Sequence, residues 1–147
     1  MTSTTTRPEH ETTTRLGHLV AALVDTALLW VVNVRPGWRS VPFLTAEAGQ
    51  VVVLVDIALA VGVVVNLVCL ARPQRLVRLL GDVLTTAFAL VVLWRARGVF
   101  PFRFDDPAVD WAGVLRVALP VTGVLVLVAF LVQVVKLVRA LTMPSGT

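Results

Sequence analysis

The sequence contains one cysteine, two histidines and no tyrosine, and these low counts exclude several kinds of site. A single cysteine cannot form an internal disulfide, and without histidines nearby it does not make a metal site. Cys69 lies inside an apolar run, where we expect it to act as a small buried hydrophobic residue. His10 lies in a polar N-terminal stretch, so His18 is the histidine that borders an apolar segment. We therefore expect neither a bound metal ion nor another cofactor.

Charged residues are scarce as well. They make up 15% of the 147 residues, whereas soluble domains contain about 25%. Hydrophobic residues reach 57% and the mean hydropathy is +0.87, which leaves too little polar surface to cover a water-soluble globule. Because the apolar residues are grouped into long runs, the composition predicts an integral membrane protein that lies in contact with the lipid bilayer.

Common catalytic and nucleotide-binding motifs are absent, including G-x-S-x-G, H-E-x-x-H and the phosphate-binding glycine loops. The remaining residues do not supply a nucleophile, a base and an orienting group together, so no enzymatic activity is expected. The net charge of +4 does not indicate nucleic-acid binding. The basic residues flank apolar segments, as membrane topology requires, and form no basic stripe interleaved with aromatics.

Four segments meet the length of about 20 apolar residues that a membrane-spanning helix needs. These segments are Leu16–Val34, Val51–Leu70, Leu76–Trp94 and Ala112–Val135. The first is too long for the apolar part of a signal peptide and lacks a small-residue cleavage site, which indicates a retained helix. We predict an all-α, four-helix transmembrane bundle of two antiparallel hairpins over residues 16–142, preceded by a disordered, threonine-rich tail over 1–15. The predicted helices cover residues 16–34, 46–71, 74–96 and 107–140.

Two helix starts carry capping signals. Thr45 is predicted to cap helix 2, with Glu47 in its first turn. Asp106 is predicted to cap helix 4, with Pro107 at the first helical position.

The two sides of the predicted bundle differ in composition. The short connection between helices 2 and 3 is purely basic, which predicts a cytoplasmic location for it and for both termini, although the total Lys/Arg count is only seven against six. Aromatic residues instead border the 1–2 and 3–4 connections, where we expect residues 35–45 and 95–110 to lie among lipid headgroups. The tryptophans on that side are Trp30, Trp38, Trp94 and Trp111. Each of these connections contains Pro-Phe, which either a duplicated hairpin or convergent interface composition explains.

Ionisable and amide side chains within the apolar segments are the candidate functional residues, because such groups are costly in hydrocarbon. Asp25 shares a helix face with His18, and in an antiparallel hairpin we expect Asp25 and Asp56 at similar depth. Arg116 is the expected counter-charge if the network is functional; otherwise Arg116 and Asp82, each within a few turns of an interface, are expected to extend to the headgroups. The predicted intramembrane network comprises His18, Asp25, Asp56, Asn66, Asp82 and Arg116.

Two interpretations of this network stay open. In the first, the polar groups hydrogen-bond between helices, and the protein is a non-enzymatic assembly or accessory protein that forms a homo-oligomer or binds another membrane protein. In the second, Asp25 or Asp56 binds a proton or cation in a small carrier or channel.

Several stretches resemble a known group of proteins. They are Asn33-Val-Arg-Pro-Gly-Trp38, Val41-Pro-Phe-Leu-Thr45, Leu80-Gly-Asp-Val-Leu-Thr-Thr86 and Val99-Phe-Pro-Phe102, together with Asn66 in helix 2. The chain after residue 16 resembles small, uncharacterised four-helix membrane proteins of high-GC actinobacteria. The resemblance implies a four-helix fold in the plasma membrane and carries over no binding or catalytic residue.

Overall fold

The computed structural model describes residues 7–105 and 108–143, and within these residues the chain is helical without strands. The long helices are α1 (Arg7–Asn33), α2 (Ala48–Ala71), α3 (Arg75–Val99) and α4 (Trp111–Thr142). A short 3-10 helix over Trp38–Ser40 lies between α1 and α2. All four long helices contain a stretch that is long and apolar enough to cross a membrane. The predicted all-α, four-helix fold is confirmed, and the chain is a multi-pass membrane protein.

The first helix starts earlier than predicted. α1 begins at Arg7, so the predicted disordered tail is wrong for residues 7–15, while residues 1–6 lie outside the described part of the chain. Pro8 is compatible with this start because the amides of a helix's first turn have no helical partner. Once the apolar stretch forms a helix, each added turn costs little, so the helix extends into polar sequence.

The fourth helix starts later than predicted and has a different cap. Asp106 and Pro107 themselves lie outside the described residues. The described helix begins at Trp111, and the carboxylate of Asp110 accepts a 2.8 Å hydrogen bond from the amide of Gly113. Asp110 offers the same capping chemistry directly before the apolar run, so it takes the role predicted for Asp106.

Thr45 does not cap α2, contrary to the prediction. The helix begins at Ala48, and its N-cap residue, Glu47, makes no side-chain capping bond. The amide of Thr45 instead donates to the carbonyl of Pro101 at 3.0 Å. This contact with the second loop holds residue 45 outside the helix.

The Asp110 cap is expected to stabilise the start of α4. Asp110→Ala should lower the free energy of unfolding by about 1 kcal/mol, because the Gly113 amide loses its acceptor. Equilibrium unfolding in mixed detergent, followed by circular dichroism, measures the change. Asp105→Ala is the matched control, since Asp105 forms an exposed 3.6 Å ion pair with Arg103 and caps none of the described helices. Equal stability of the two variants would contradict the capping role.

The helices pack in the order of the chain. α1 packs on α2, α2 on α3 and α3 on α4, and no other helix pair within the described residues forms a comparable interface. Small residues lie at the contacts, which allows close approach of the backbones. The buried apolar residues are Ala22, Ala48, Val51, Cys69 and Ala96. The four helices therefore form an open row in which α2 and α3 are central.

The 1–2 and 3–4 connections meet at one end of this row. Leu44 and Phe102 form an isolated antiparallel bridge, and the amide of Arg103 donates to the carbonyl of Phe43 at 2.8 Å. The rings of Phe43 and Phe104 stack with centroids 5.6 Å apart, and Pro101 in the second connection is fully buried. We call this end the aromatic side and the opposite end, which carries the 2–3 connection, the basic side.

Candidate functional site

Polar side chains of α1 and α2 form a ladder along the contact between the two helices. Its members are His18, Asp25 and Asn33 of α1 and Asp56 and Asn66 of α2. At the basic end of this ladder, Asn66 joins two residues of α1. Its amide nitrogen donates to Asp25 Oδ2 at 3.3 Å and to the carbonyl of Gly62 at 2.9 Å. Its amide oxygen lies 3.0 Å from His18 Nδ1 and, being only an acceptor, it receives the ring proton. Three predicted residues, His18, Asp25 and Asn66, are thus brought together.

Gly62 makes this cluster possible. It is buried, and a Cβ atom at this position would lie 2.5 Å from Asp25 Oδ2. The absence of a side chain lets the Asp25 carboxylate rest directly on the backbone of α2. A small residue in a helix contact of this kind is typical of membrane proteins.

Asp56 lies in a second, separate pair towards the aromatic side. The side-chain nitrogen Nδ2 of Asn33 donates to Asp56 Oδ1 at 2.7 Å and also to the carbonyl of Leu29 at 3.0 Å. Asp25 contacts Gly62, which is six residues beyond Asp56, so about 9 Å of helix axis separates the levels of the two acids. The prediction that Asp25 and Asp56 lie at similar depth is therefore wrong.

Asp25 and Asp56 lie at different levels because α1 and α2 are shifted along their axes relative to each other. Asn33 is the last residue of α1, yet its partner, Asp56, lies eight residues after the start of α2. The connection that contains the 3-10 helix occupies the space beyond the end of α1, where Trp38 packs against Gly49. A tight hairpin with helix ends in register would have placed the two acids together, but this long connection does not.

A third polar contact joins α2 to α3 at the aromatic side. Arg95 donates a short hydrogen bond from its guanidinium to the side-chain oxygen of Gln50. Sequence reasoning missed this pair. A usable signal existed, because the start of one helix lies beside the end of the next in an antiparallel arrangement, and Gln50 and Arg95 occupy those ends.

Two predicted network residues lie apart from the ladder. The guanidinium carbon of Arg116 lies 5.2 Å from the ring centroid of Phe100, and α4 packs on α3 rather than on α1 or α2. The predicted counter-charge role of Arg116 is therefore wrong, and a cation–π contact takes its place. Asp82 has an exposed side chain, and its carbonyl accepts the hydroxyls of Thr85 and Thr86 at 3.2 and 2.7 Å.

The four tryptophans lie at the aromatic side of the row of helices. Trp94 and Trp30 are 78% and 54% exposed near the ends of α3 and α1. Trp111 is the first residue of α4. The Trp38 ring is covered by the guanidinium of Arg39 at 5.3 Å. Their position at a membrane interface stays a prediction.

The ladder has to be interpreted from its own chemistry. No family model, no curated protein and no solved structure matches this chain. Among the described residues, no group of three or more His, Cys, Asp and Glu side chains is arranged to hold a metal ion. The ladder offers hydrogen bonding between helices, and it places ionisable side chains at two levels of the α1–α2 pair: His18 with Asp25, and Asp56.

Proposed function

We propose that this membrane protein is a non-enzymatic assembly protein, and that another polypeptide covers its polar ladder in the membrane. The partner is either a second copy of the chain or a different membrane protein. The observation that carries the proposal is the open row of helices. Among the described residues α1 forms its helix interface with α2, and neither α3 nor α4 forms a comparable interface with α1 that would cover the free side of the ladder.

The ladder is incompletely buried by the chain itself. His18, Asp25, Asp56 and Asn66 are half-buried, and Asn33 is exposed. A half-buried carboxylate is costly beside lipid, where an aspartate at the centre of a helix disfavours insertion by about 2.5–3.5 kcal/mol. A second protein surface relieves this cost, because it removes the polar groups from contact with hydrocarbon.

The first helix also depends on such contacts. Residues 16–34 contain ten Leu and Val residues, which favour insertion by roughly 3–6 kcal/mol in total. Asp25 offsets most of this gain. Protein contacts on both sides of Asp25, from α2 and from the partner, stabilise α1 in the membrane.

The orientation of the chain and the membrane in which it lies are proposed from the sequence. The basic connection between α2 and α3 favours a cytoplasmic location for both termini, in a bacterial plasma membrane. Kinship with the uncharacterised actinobacterial proteins is consistent with that location and is proposed on the resembling sequence stretches alone.

The mass of the native particle tests the assembly role. The chain should purify in mild detergent, and enter nanodiscs, as a defined oligomer or with one reproducible partner. Replacing both members of the pair at the aromatic side, Asn33→Leu with Asp56→Leu, should shift this particle towards the free monomer, because one of the two polar levels that require a cover becomes apolar. Thr122→Val is the matched control, since it removes an exposed hydroxyl from α4, away from the ladder.

Two results would contradict the assembly role. One is a monodisperse, partner-free monomer for the unmodified chain. The other is an assembly that the Asn33/Asp56 double variant leaves intact while Thr122→Val behaves identically.

A carrier or channel for protons or cations is the second candidate function. It is favoured by the succession of polar groups along α2, from Asn66 through Asp56 to Gln50. The separation between the Asp25 cluster and the Asp56 pair counts against it, because a proton step of about 9 Å needs intervening water.

Flux in proteoliposomes tests the carrier. If the chain conducts, an imposed pH gradient should drive proton or cation flux that Asp25→Asn and Asp56→Asn each abolish. Flux equal to that of empty vesicles, or flux unchanged in both folded variants, rules out this function.

A further inference from the structure

An open groove lies between α3 and α4. Its volume is about 520 Å³, within the range of roughly 300–1,000 Å³ that is usual for small-molecule sites. The groove lies in the other hairpin from the polar ladder. Its walls include Leu90, Trp94, Arg97, Pro120, Gly123 and Leu127.

Two residues of α4 shape the groove. Pro120 lies inside the helix and has no amide hydrogen for the carbonyl four residues earlier, which favours a local bend. Gly123 contributes no side chain, and a Cβ atom there would meet nothing within 4 Å. The space next to the backbone of α4 is therefore empty rather than filled by α3.

The groove has one charged end. Among the described residues that line it, Arg97 alone carries a charge, and it lies in the last turn of α3 at the aromatic side. Trp94 lies one turn earlier and is 78% exposed. A tryptophan and an arginine at the end of an apolar groove match the boundary between acyl chains and headgroups.

The length of the groove distinguishes its possible occupants. It follows α3 from Leu90 to Arg97 and α4 from Leu119 to Leu127, which corresponds to about 11–12 Å of helix axis. The hydrocarbon core is about 30 Å thick, so the groove fits within one leaflet. A transmembrane helix from another chain would need contact over a longer path, whereas an acyl chain needs only one leaflet.

We propose that this groove binds one acyl chain of an anionic glycerophospholipid, whose phosphate is held by the guanidinium of Arg97. The guanidinium donates two parallel hydrogen bonds to phosphate oxygens, a geometry that lysine does not offer. Trp94 packs along the upper part of the chain. This site is independent of the assembly surface, because no residue of the polar ladder lines it.

Quenching of Trp94 by brominated lipids tests the site. The chain is prepared with Trp30→Phe, Trp38→Phe and Trp111→Phe, so that Trp94 alone fluoresces, in vesicles containing a small fraction of lipid with brominated acyl chains. Brominated phosphatidylglycerol should quench Trp94 at about fivefold lower mole fraction than brominated phosphatidylcholine, given the usual strength of one arginine–anionic lipid contact. Arg97→Gln should reduce this ratio to one.

Gly123→Leu distinguishes a lipid bound in the groove from anionic lipid that is merely attracted to the positive charge of Arg97. A Cβ atom at this position meets no atom within 4 Å, so the leucine adds apolar volume to the groove and should also reduce the ratio to one. Gly17→Leu is the matched control, because Gly17 of α1 is equally open, and it should preserve the ratio. Arg103→Gln, which changes an exposed arginine of the same side, should preserve it as well.

Three outcomes would overturn the proposal. They are equal quenching by the two lipids in the parent chain, a ratio that Gly123→Leu leaves unchanged, and the absence of quenching by either lipid, which would mean that a protein segment fills the groove. If the tryptophan variants do not fold, native mass spectrometry of the parent, Gly123→Leu and Gly17→Leu chains decides through the number of retained anionic lipids. Equal retention in all three contradicts the site.

Discussion

Gly81→Leu is expected to reduce the stability of the fold by about 2 kcal/mol or more, the range typical of overpacking in a close contact. Gly81 is buried where α3 crosses α2. A Cβ atom at this position would lie 2.5 Å from Cγ1 of Val65 and 3.6 Å from the sulfur of Cys69. Because Val65 is branched at Cβ and stiff, it cannot move aside without a shift of the helix. Since α2 and α3 are the central pair of the row, their separation weakens the link between the two hairpins.

The control for this substitution is Gly17→Leu, because Gly17 has no neighbour within 4 Å. There the leucine should be neutral or stabilise by up to about 1 kcal/mol, since leucine favours a helix more than glycine does. Reversible unfolding in mixed detergent, followed by circular dichroism, measures both variants. Equal stability of Gly81→Leu and Gly17→Leu would contradict the close contact between α2 and α3.

The contact of Asp25 with Gly62 is expected to show a coupling energy of about 1–3 kcal/mol in a double-mutant cycle. In the parent chain, Gly62→Ala places a methyl group against the Asp25 carboxylate and displaces it from Asn66. The expected cost is about 1–2 kcal/mol for the lost hydrogen bond. In an Asp25→Ala chain the same substitution should instead stabilise by up to about 1 kcal/mol, because alanine favours a helix and nothing opposes it.

The sign of the Gly62→Ala effect is therefore expected to reverse between the two backgrounds. The cycle is measured by the same unfolding assay, with Gly98→Ala as control, since a Cβ atom at Gly98 meets no neighbour within 4 Å. Additive effects of Asp25→Ala and Gly62→Ala would show that the carboxylate does not rest on the backbone of α2.

The helices were predictable because they depend on composition and length. Four long apolar runs, broken by proline, arginine and aspartate, require helices in a membrane, since only a helix satisfies its own backbone there. The ends were less predictable. Asp106 and Asp110 offer the same capping chemistry four residues apart, and the backbone of Thr45 is held by a contact with Pro101, 56 residues away in the sequence. The sequence around Thr45 gives no indication of a contact with so distant a residue.

The candidate site was predictable in its members but not in its pairing. Periodicity placed His18 and Asp25 on one face of the first helix, and the structure brings both to Asn66. The register of α2 against α1 depends on the path of a 14-residue connection, which periodicity does not encode. The order of helices in the row likewise decides that Arg116 contacts Phe100 instead of an aspartate.

The surroundings of Ala60 test most directly whether another polypeptide covers the polar ladder. Ala60 is exposed on α2, one helical turn after Asp56. A spin label at this position, attached through Ala60→Cys in a Cys69→Ser chain, reports collisions with oxygen from the lipid and with a nickel chelate from water. The assembly proposal predicts low accessibility to both reagents, while a label at Leu125, which is 65% exposed on α4, should be accessible to oxygen. An Ala60 label as accessible to oxygen as the Leu125 label would show that lipid covers the ladder and would contradict the proposal.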